Sequence, residues 1–205
     1  MPNDAEARLA ERARDGRTLL RLVLFGLAYN VAEGILSVSA GVAAGSVVLV
    51  GFGLDSGIEA VAALAAWRFL REEGSEEAEE RLSRVVGWTF LALAAYVTIQ
   101  SAYDLIARKG VAPSRLGLIV TALSLLVMPF LGWWKLRLAR RMGSRGLEAE
   151  AKETIACSYL SFFAVLGVAV RYLGGPSWVD PAAALLMVPW LIREGLEKVR
   201  GETHE

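Results

Sequence analysis

The sequence contains very little of the chemistry on which many small proteins depend. Among its 205 residues there is one cysteine, Cys157, and one histidine, His204. A single cysteine excludes an intrachain disulfide framework, and His204 lies in a polar tail where it is expected to be solvated. Acidic and basic residues balance to a net charge of zero. No predicted domain has the net basic face that is typical of nucleic-acid binding.

Charged residues are also scarce over several long stretches. The sequence is 55% hydrophobic with a mean hydropathy of +0.43, which is too apolar for an ordinary soluble domain and typical of an integral membrane protein. A helix of about 20 apolar residues spans a bilayer. The pattern therefore predicts an all-α polytopic membrane protein with six transmembrane helices, at residues 18–44, 46–70, 85–107, 116–134, 147–172 and 178–192.

Charged blocks divide the rest of the chain. We expect residues 1–17 to form an amphipathic cytoplasmic segment at the membrane surface, residues 18–200 to form a six-helix membrane domain, and residues 201–205 to be a polar tail. Residues 71–84 are predicted to be a solvated loop or surface helix, and residues 135–145 a basic linker. This division leaves no room for a soluble domain at either end of the sequence.

The distribution of lysine and arginine predicts the orientation. Cytoplasmic connections of membrane proteins carry an excess of these residues. Basic residues are frequent in the first segment, in the 71–84 and 135–145 blocks and after the sixth span, whereas the connections on the other side hold only a few. Both termini are therefore predicted to be cytoplasmic.

Two acidic residues stand inside the second apolar stretch. Asp55 and Glu59 are four residues apart, which places both on one face of a helix, one turn above the other. An ionised carboxylate in hydrocarbon costs about 2.5–3.5 kcal/mol by insertion scales. A chain keeps such a pair when something binds there, and the alternative is a buried pair that stiffens helix packing through hydrogen bonds.

The fifth stretch repeats this spacing with Glu153 and Cys157. Two pairs on two helices supply four potential ligands, the number that a tetrahedral metal site needs. Carboxylates with one thiolate suit Zn²⁺, Cd²⁺, Fe²⁺, Co²⁺ or Mn²⁺. For Cys157 the alternative is packing as a small apolar residue.

Other polar residues in the spans have several interpretations. Asn30 and Glu33, in the first span, are candidate accessory residues that either form interhelical hydrogen bonds or support the ligands and carry protons. Glu150 is a further accessory candidate. With Glu148 it is expected at the cytoplasmic mouth, where acids attract cations.

Two local patterns predict structure and not binding. Asp180 before Pro181 has the pattern of a helix N-cap with proline at the first helical position. The glycines in Gly41-Val-Ala-Ala-Gly45 and Gly51-Phe-Gly53 are expected to permit close helix packing.

Three segments resemble one known family. Ala44-Gly-Ser46-Val-Val-Leu-Val-Gly-Phe-Gly-Leu-Asp55-Ser-Gly-Ile-Glu59 resembles the second transmembrane helix of the cation diffusion facilitator (cation efflux) family. Glu148-Ala-Glu150-Ala-Lys-Glu153-Thr-Ile-Ala-Cys157-Ser-Tyr-Leu-Ser161 is similar to the fifth helix of that family, and Trp178-Val-Asp180-Pro-Ala-Ala-Ala-Leu to the start of the sixth. The likeness covers residues from about 18 to 200.

The resemblance assigns ligand places residue by residue. Asp55 and Glu59 take the two places of the second helix. Glu153 stands where the family usually has histidine, the residue associated with zinc specificity in this family, and Cys157 stands where it usually has aspartate. The substrate metal is therefore open among the divalent ions above, with Zn²⁺ as the first choice.

The resemblance also implies an activity. It implies a divalent-metal exporter of the plasma membrane, metal/proton antiport, a homodimer and a short form lacking the family's cytoplasmic C-terminal domain. No enzyme activity is expected, because no separate cluster of residues supplies the general acid or base of a metalloenzyme. No organic cofactor or nucleic-acid partner is expected either. The alternative is a non-transporting membrane protein that senses metal or binds partners with the same fold.

Overall fold

The protein consists of six α-helices, seen in a computed structural model that describes residues 2–71, 76–143 and 145–200. Those residues contain no strand. In chain order the helices are α1 (Pro2–Ala44), α2 (Val47–Arg71), α3 (Glu76–Ile106), α4 (Arg115–Met142), α5 (Arg145–Tyr172) and α6 (Val179–Arg200). The predicted all-α fold with six helices is confirmed. The predicted polar tail at 201–205 lies outside the described residues.

Five of these helices are long and apolar enough to cross a membrane. The candidate spans are Arg14–Ala44, Val47–Ala65, Arg84–Ile106, Arg115–Met142 and Glu150–Tyr172. The sixth helix has two parts of different composition. Its first part is apolar, and its last eight residues hold five charged side chains. That charged part matters below, because Lys198 belongs to it.

The helices extend beyond the predicted spans. The prediction of a basic linker over 135–145 is wrong, because α4 continues to Met142 and α5 begins at Arg145. Leucine, arginine and lysine are good helix formers, so the charged block continues the helix. The residues of the 71–84 block from Glu76 onward are likewise helical, and residues 72–75 lie outside the described part of the chain.

The helices pack as a group of four with a pair beside it. In the group, α1 packs on α2 and on α4, and α5 packs on α4 and on α2. The second unit is formed by α3 and α6, which pack mainly on each other and also against α2 and α5. The main core, which includes Phe52, Phe90, Leu160 and Met187, lies between the two units.

Three connections meet at one end of the bundle, which we call the turn end. The Ala112 amide donates to the Ala44 carbonyl oxygen at 2.8 Å, and the Val111 amide donates to the Ser177 hydroxyl at 3.3 Å. The α1–α2, α3–α4 and α5–α6 connections therefore lie on one side of the bundle. At the opposite end, Arg141 pairs with Asp15.

Asp180 links two helices at the turn end. Its carboxylate accepts hydrogen bonds from the Ser46 hydroxyl and from the amides of Val47, at 2.9 Å, and Val48, at 3.3 Å. The predicted N-cap role in its own helix is wrong, because α6 begins at Val179 and Asp180 lies inside it. Asp180 satisfies the free amides at the start of α2, where a negative charge is also favoured by the helix dipole.

Glycines allow α1 and α2 to approach closely. A Cβ atom on Gly53 would lie 2.8 Å from the Val38 amide nitrogen and 2.9 Å from the Gly34 carbonyl oxygen, and one on Gly41 would lie 2.8 Å from the Val50 amide nitrogen. Real Cβ atoms essentially never come this close to backbone. The predicted packing role of these glycines is confirmed at Gly41 and Gly53.

Alanine at Gly53 is expected to destabilise the protein by about 1–3 kcal/mol, the usual cost of overpacking. Gly57, one turn further along α2, is the matched control, because a Cβ atom there would meet nothing within 4 Å. Gly57→Ala should leave the protein unchanged or stabilise it by up to about 1 kcal/mol through helix propensity. Thermal unfolding in detergent measures both variants. Equal melting temperatures would contradict the close contact.

Candidate metal site

The candidate site lies between α2 and α5. Helical spacing puts Asp55 and Glu59 on the same side of α2, and Cys157 of α5 faces them. The Cys157 thiol sulfur lies 3.8 Å from Asp55 Oδ2, to which it donates. One ligand atom from each of the three residues lies within 4.8 Å of the other two.

These three side chains are shielded from solvent. Their exposed fractions are 1% for Asp55, 5% for Glu59 and 2% for Cys157. Asp55 Oδ1 is buried and has no hydrogen-bond partner among the described residues. A buried acceptor without a partner loses its hydration without compensation. Two carboxylates and a thiol that converge in this way can bind a divalent cation, which would satisfy the unpaired oxygen.

Asn30 and Glu33 connect α1 to this group. The Asn30 side-chain amide donates to Glu59 Oε2 at 2.9 Å, and the Ser56 hydroxyl donates to Glu33 Oε2 at 2.9 Å. Both contacts are interhelical hydrogen bonds, one of the alternatives that the sequence left open. Asn30 also fixes the orientation of Glu59, because it holds one of its two oxygens. Asn30 Oδ1 and Glu33 Oε1 are buried without a hydrogen-bond partner in the described part of the chain.

Glu153 lies on the same side of α5 but has a different partner. Its Oε2 accepts from the Lys198 ammonium of α6 at 3.1 Å, and it is not in the group whose ligand atoms lie within 4.8 Å of one another. It is close enough to interact electrostatically with Asp55 and Glu59. Its Oε1 is buried and has no hydrogen-bond partner among the described residues.

Glu150 is paired in the interior. Its Oε1 lies 2.6 Å from the Lys135 ammonium, which also donates to the Thr154 hydroxyl at 3.2 Å. Lys135 is only 1% exposed. Glu150 is therefore not an exposed acid at a cytoplasmic mouth, whereas Glu148 is partly exposed and lies 3.9 Å from Arg140.

The sequence interpretation missed the two lysines that neutralise acids near the site. A signal for Lys135 is present in α4, where Met128, Leu131, Lys135 and Leu138 follow one another at steps of three, four and three residues. All four are buried, as expected for one helix face. For Lys198 we find no comparable sequence signal, because it stands in the charged last part of α6.

Comparison with known proteins agrees with this architecture. The model of the cation efflux transmembrane domain matches residues 23–200, a range that includes all the candidate ligands. The chain belongs to the cation efflux family. No curated protein matches the sequence significantly.

As a member of the cation efflux family, the protein is an integral membrane protein. Its transmembrane domain is that of a family of cation transporters, whose substrates are metal cations. The matched range ends five residues before the end of the 205-residue sequence. The prediction of the family from three short segments is thus confirmed.

Proposed function

We propose that the protein exports divalent metal ions and binds them with Asp55, Glu59, Glu153 and Cys157. The observation that carries the proposal is the convergence of two carboxylates and a thiol within 4.8 Å inside the membrane domain. Ionisable residues at membrane depth are usually functional. Glu153 would complete the set from the next turn of α5.

The spacing of these atoms is close to that of a bound ion. Zinc binds oxygen and sulfur ligands at about 2.0–2.3 Å, so the ligand atoms of a tetrahedral site lie about 3.3–3.8 Å apart. The Cys157 sulfur and the Asp55 oxygen are 3.8 Å apart. This pair is already at the upper end of that range, and all three ligand atoms lie within 4.8 Å of one another. Zn²⁺ is the first choice of substrate, and Cd²⁺, Fe²⁺, Co²⁺ and Mn²⁺ are the alternatives.

The ligand chemistry supports proton antiport. A metal ion binds carboxylates and thiolate in their deprotonated forms, so protons and metal compete for the same atoms. Metal would load from the cytoplasm, and protonation from the other side would release it. In proteoliposomes that contain a pH-sensitive dye, metal flux should be accompanied by proton movement in the opposite direction.

Flux measurements test the proposed function directly. Purified protein is reconstituted into sealed liposomes, and uptake of each of the five ions is followed, with protein-free liposomes as the control. We expect saturable uptake of at least one ion. Saturable binding without flux would contradict the exporter and favour a metal-sensing protein with the same fold.

Cys157→Ser is expected to change metal preference more than overall activity. The thiol is the only soft ligand in the proposed site, and soft ligands favour Cd²⁺ and Zn²⁺ over Mn²⁺. The ratio of Cd²⁺ to Mn²⁺ transport should therefore fall by about tenfold, a change of roughly 1.4 kcal/mol in relative binding. An unchanged ratio, with normal expression, would mean that Cys157 packs as an apolar residue.

We propose that the turn end faces away from the cytoplasm and that both termini are cytoplasmic, in the plasma membrane. The support is the bias of lysine and arginine towards the opposite end. A cysteine introduced at Ala112, in a Cys157→Ser background, should react with an impermeant reagent from outside the cell. Reaction only after the cytoplasm is opened would reverse the orientation.

A homodimer is also proposed, on the family likeness alone. We propose that it forms through membrane helices of the described region. Mass measurement of the detergent-solubilised protein should give two copies, and a strict monomer at every concentration would contradict this assembly.

A further inference from the structure

Lys198 is a partly buried cation next to the proposed metal site. Its ammonium lies 3.1 Å from Glu153 Oε2 and 3.7 Å from Glu194 Oε1, and its side chain is 19% exposed. Glu153 is 8% exposed. The contact joins α6, of the α3–α6 pair, to α5, of the group of four.

This contact competes with the role proposed for Glu153. A metal ion that binds Glu153 needs lone pairs of its carboxylate oxygens. The lone pairs of Oε2 accept the hydrogen bond from the Lys198 ammonium. A divalent ion and an ammonium group at neighbouring positions also repel each other strongly where water is excluded. A metal ion could bind at the unpaired Oε1 of Glu153, and its repulsion of the ammonium then favours release of Lys198 from Oε2.

A second carboxylate that could accept from the Lys198 ammonium lies nearby. Glu194 stands one turn before Lys198 on the same helix, and its carboxylate is already within 3.7 Å. A rotation of the lysine side chain would exchange Glu153 for Glu194 while the ammonium stays paired with a carboxylate. Long, flexible lysine side chains make such changes readily.

We propose that Lys198 is a tethered counter-cation. In the metal-free protein it neutralises Glu153, and it moves to Glu194 when a divalent ion takes that carboxylate. Lys198 thereby lowers the affinity of the site and makes the contact between α6 and α5 depend on metal occupancy. The inference rests on the proposed function and adds a residue outside the four ligands.

Metal binding to charge-neutral variants tests the competition. Lys198→Gln and Lys198→Met both remove the charge, and Gln can still donate to Glu153. Arg193→Gln is the matched control, since it removes a cation from the same helix at an exposed ion pair with Glu197. Affinities for Zn²⁺ and Cd²⁺ are measured by calorimetry on purified protein at one pH.

We expect both Lys198 variants to bind metal about tenfold more tightly than wild type, the size of change that corresponds to one charge-assisted hydrogen bond. Arg193→Gln should bind with wild-type affinity. Unchanged or weaker binding in the Lys198 variants, with wild-type protein still binding metal, would overturn the counter-cation and leave the site intact. Failure of wild-type protein to bind either ion would count against the proposed function itself.

A measurement on wild-type protein covers the case in which the variants do not fold. Acylation of Lys198 by an amine reagent is followed by mass spectrometry with and without Cd²⁺, with Lys109, whose partner is Asp104 at the turn end, as the internal reference. We expect Cd²⁺ to change the labelling of Lys198 severalfold relative to Lys109. Identical ratios would overturn the displacement.

Discussion

Asp55→Asn is expected to abolish metal transport, with a loss of at least about 100-fold. Changes to residues that merely support metal ligands cost 10–100-fold, and Asp55 is a proposed ligand. The substitution keeps the size of the side chain and removes one of several acids that repel one another in the interior. The melting temperature of the metal-free protein should therefore stay the same or rise, while proteoliposome flux is lost.

Asp104→Asn provides the matched control for this experiment. Asp104 is also a carboxylate on a membrane helix and is 3% exposed, but it accepts from Gln100 at 2.8 Å and lies 3.6 Å from Lys109 at the turn end. We expect flux within about threefold of wild type, a difference of less than 1 kcal/mol. Full activity in Asp55→Asn at normal expression would contradict the site and most of the proposed mechanism.

The second large effect is expected at the buried pair of Lys135 and Glu150. Glu150→Gln leaves the Lys135 ammonium with only neutral hydrogen-bond partners, at a residue that is 1% exposed. Removal of one partner of a buried ion pair typically costs 3–5 kcal/mol, and we expect a loss of about 3 kcal/mol in the free energy of unfolding. Thermal denaturation followed by tryptophan fluorescence gives the change. Arg193→Gln, at an ion pair in which the Arg193 side chain is 59% exposed, should change stability far less.

The double variant Lys135→Met with Glu150→Gln separates charge from packing. If the charges act as a pair, removing both should restore most of the stability, because replacement of a whole buried pair is often close to neutral. The coupling energy in the double-mutant cycle should then be at least about 1 kcal/mol. Strictly additive losses would mean that the two side chains contribute independently.

The positions that the sequence predicted best are those whose spacing depends on one helix. Asp55 and Glu59 could be placed on one face because four residues make about one turn, and hydrophobic length predicted the number of helices. The neighbourhood of Asp55 and Cys157 depended on the repeated four-residue spacing and on the family resemblance, since periodicity alone does not say which faces meet.

Contacts between distant segments were beyond this kind of prediction. Asp180 and Pro181 fit the local pattern of an N-cap, yet the partners of Asp180 begin at Ser46, 134 residues away. Lys135 stands among arginines and leucines that resemble a surface linker, and only its place on the buried face of α4 distinguishes it. Both side chains have long-range partners whose positions depend on how the helices pack.

The hydrogen bonds between Asp180 and the start of α2 restrict how α2 can move. Hydrogen bonds weaken steeply beyond their normal length. A shift of α2 along its axis by more than about 1 Å would therefore break its amide hydrogen bonds to Asp180, unless the start of α6 moved together with α2. We therefore expect the start of α2 to stay with the start of α6 when the helices move. Rearrangements that open the ligands on α2 would have their largest amplitude at the far end of the bundle, where Lys198 contacts Glu153.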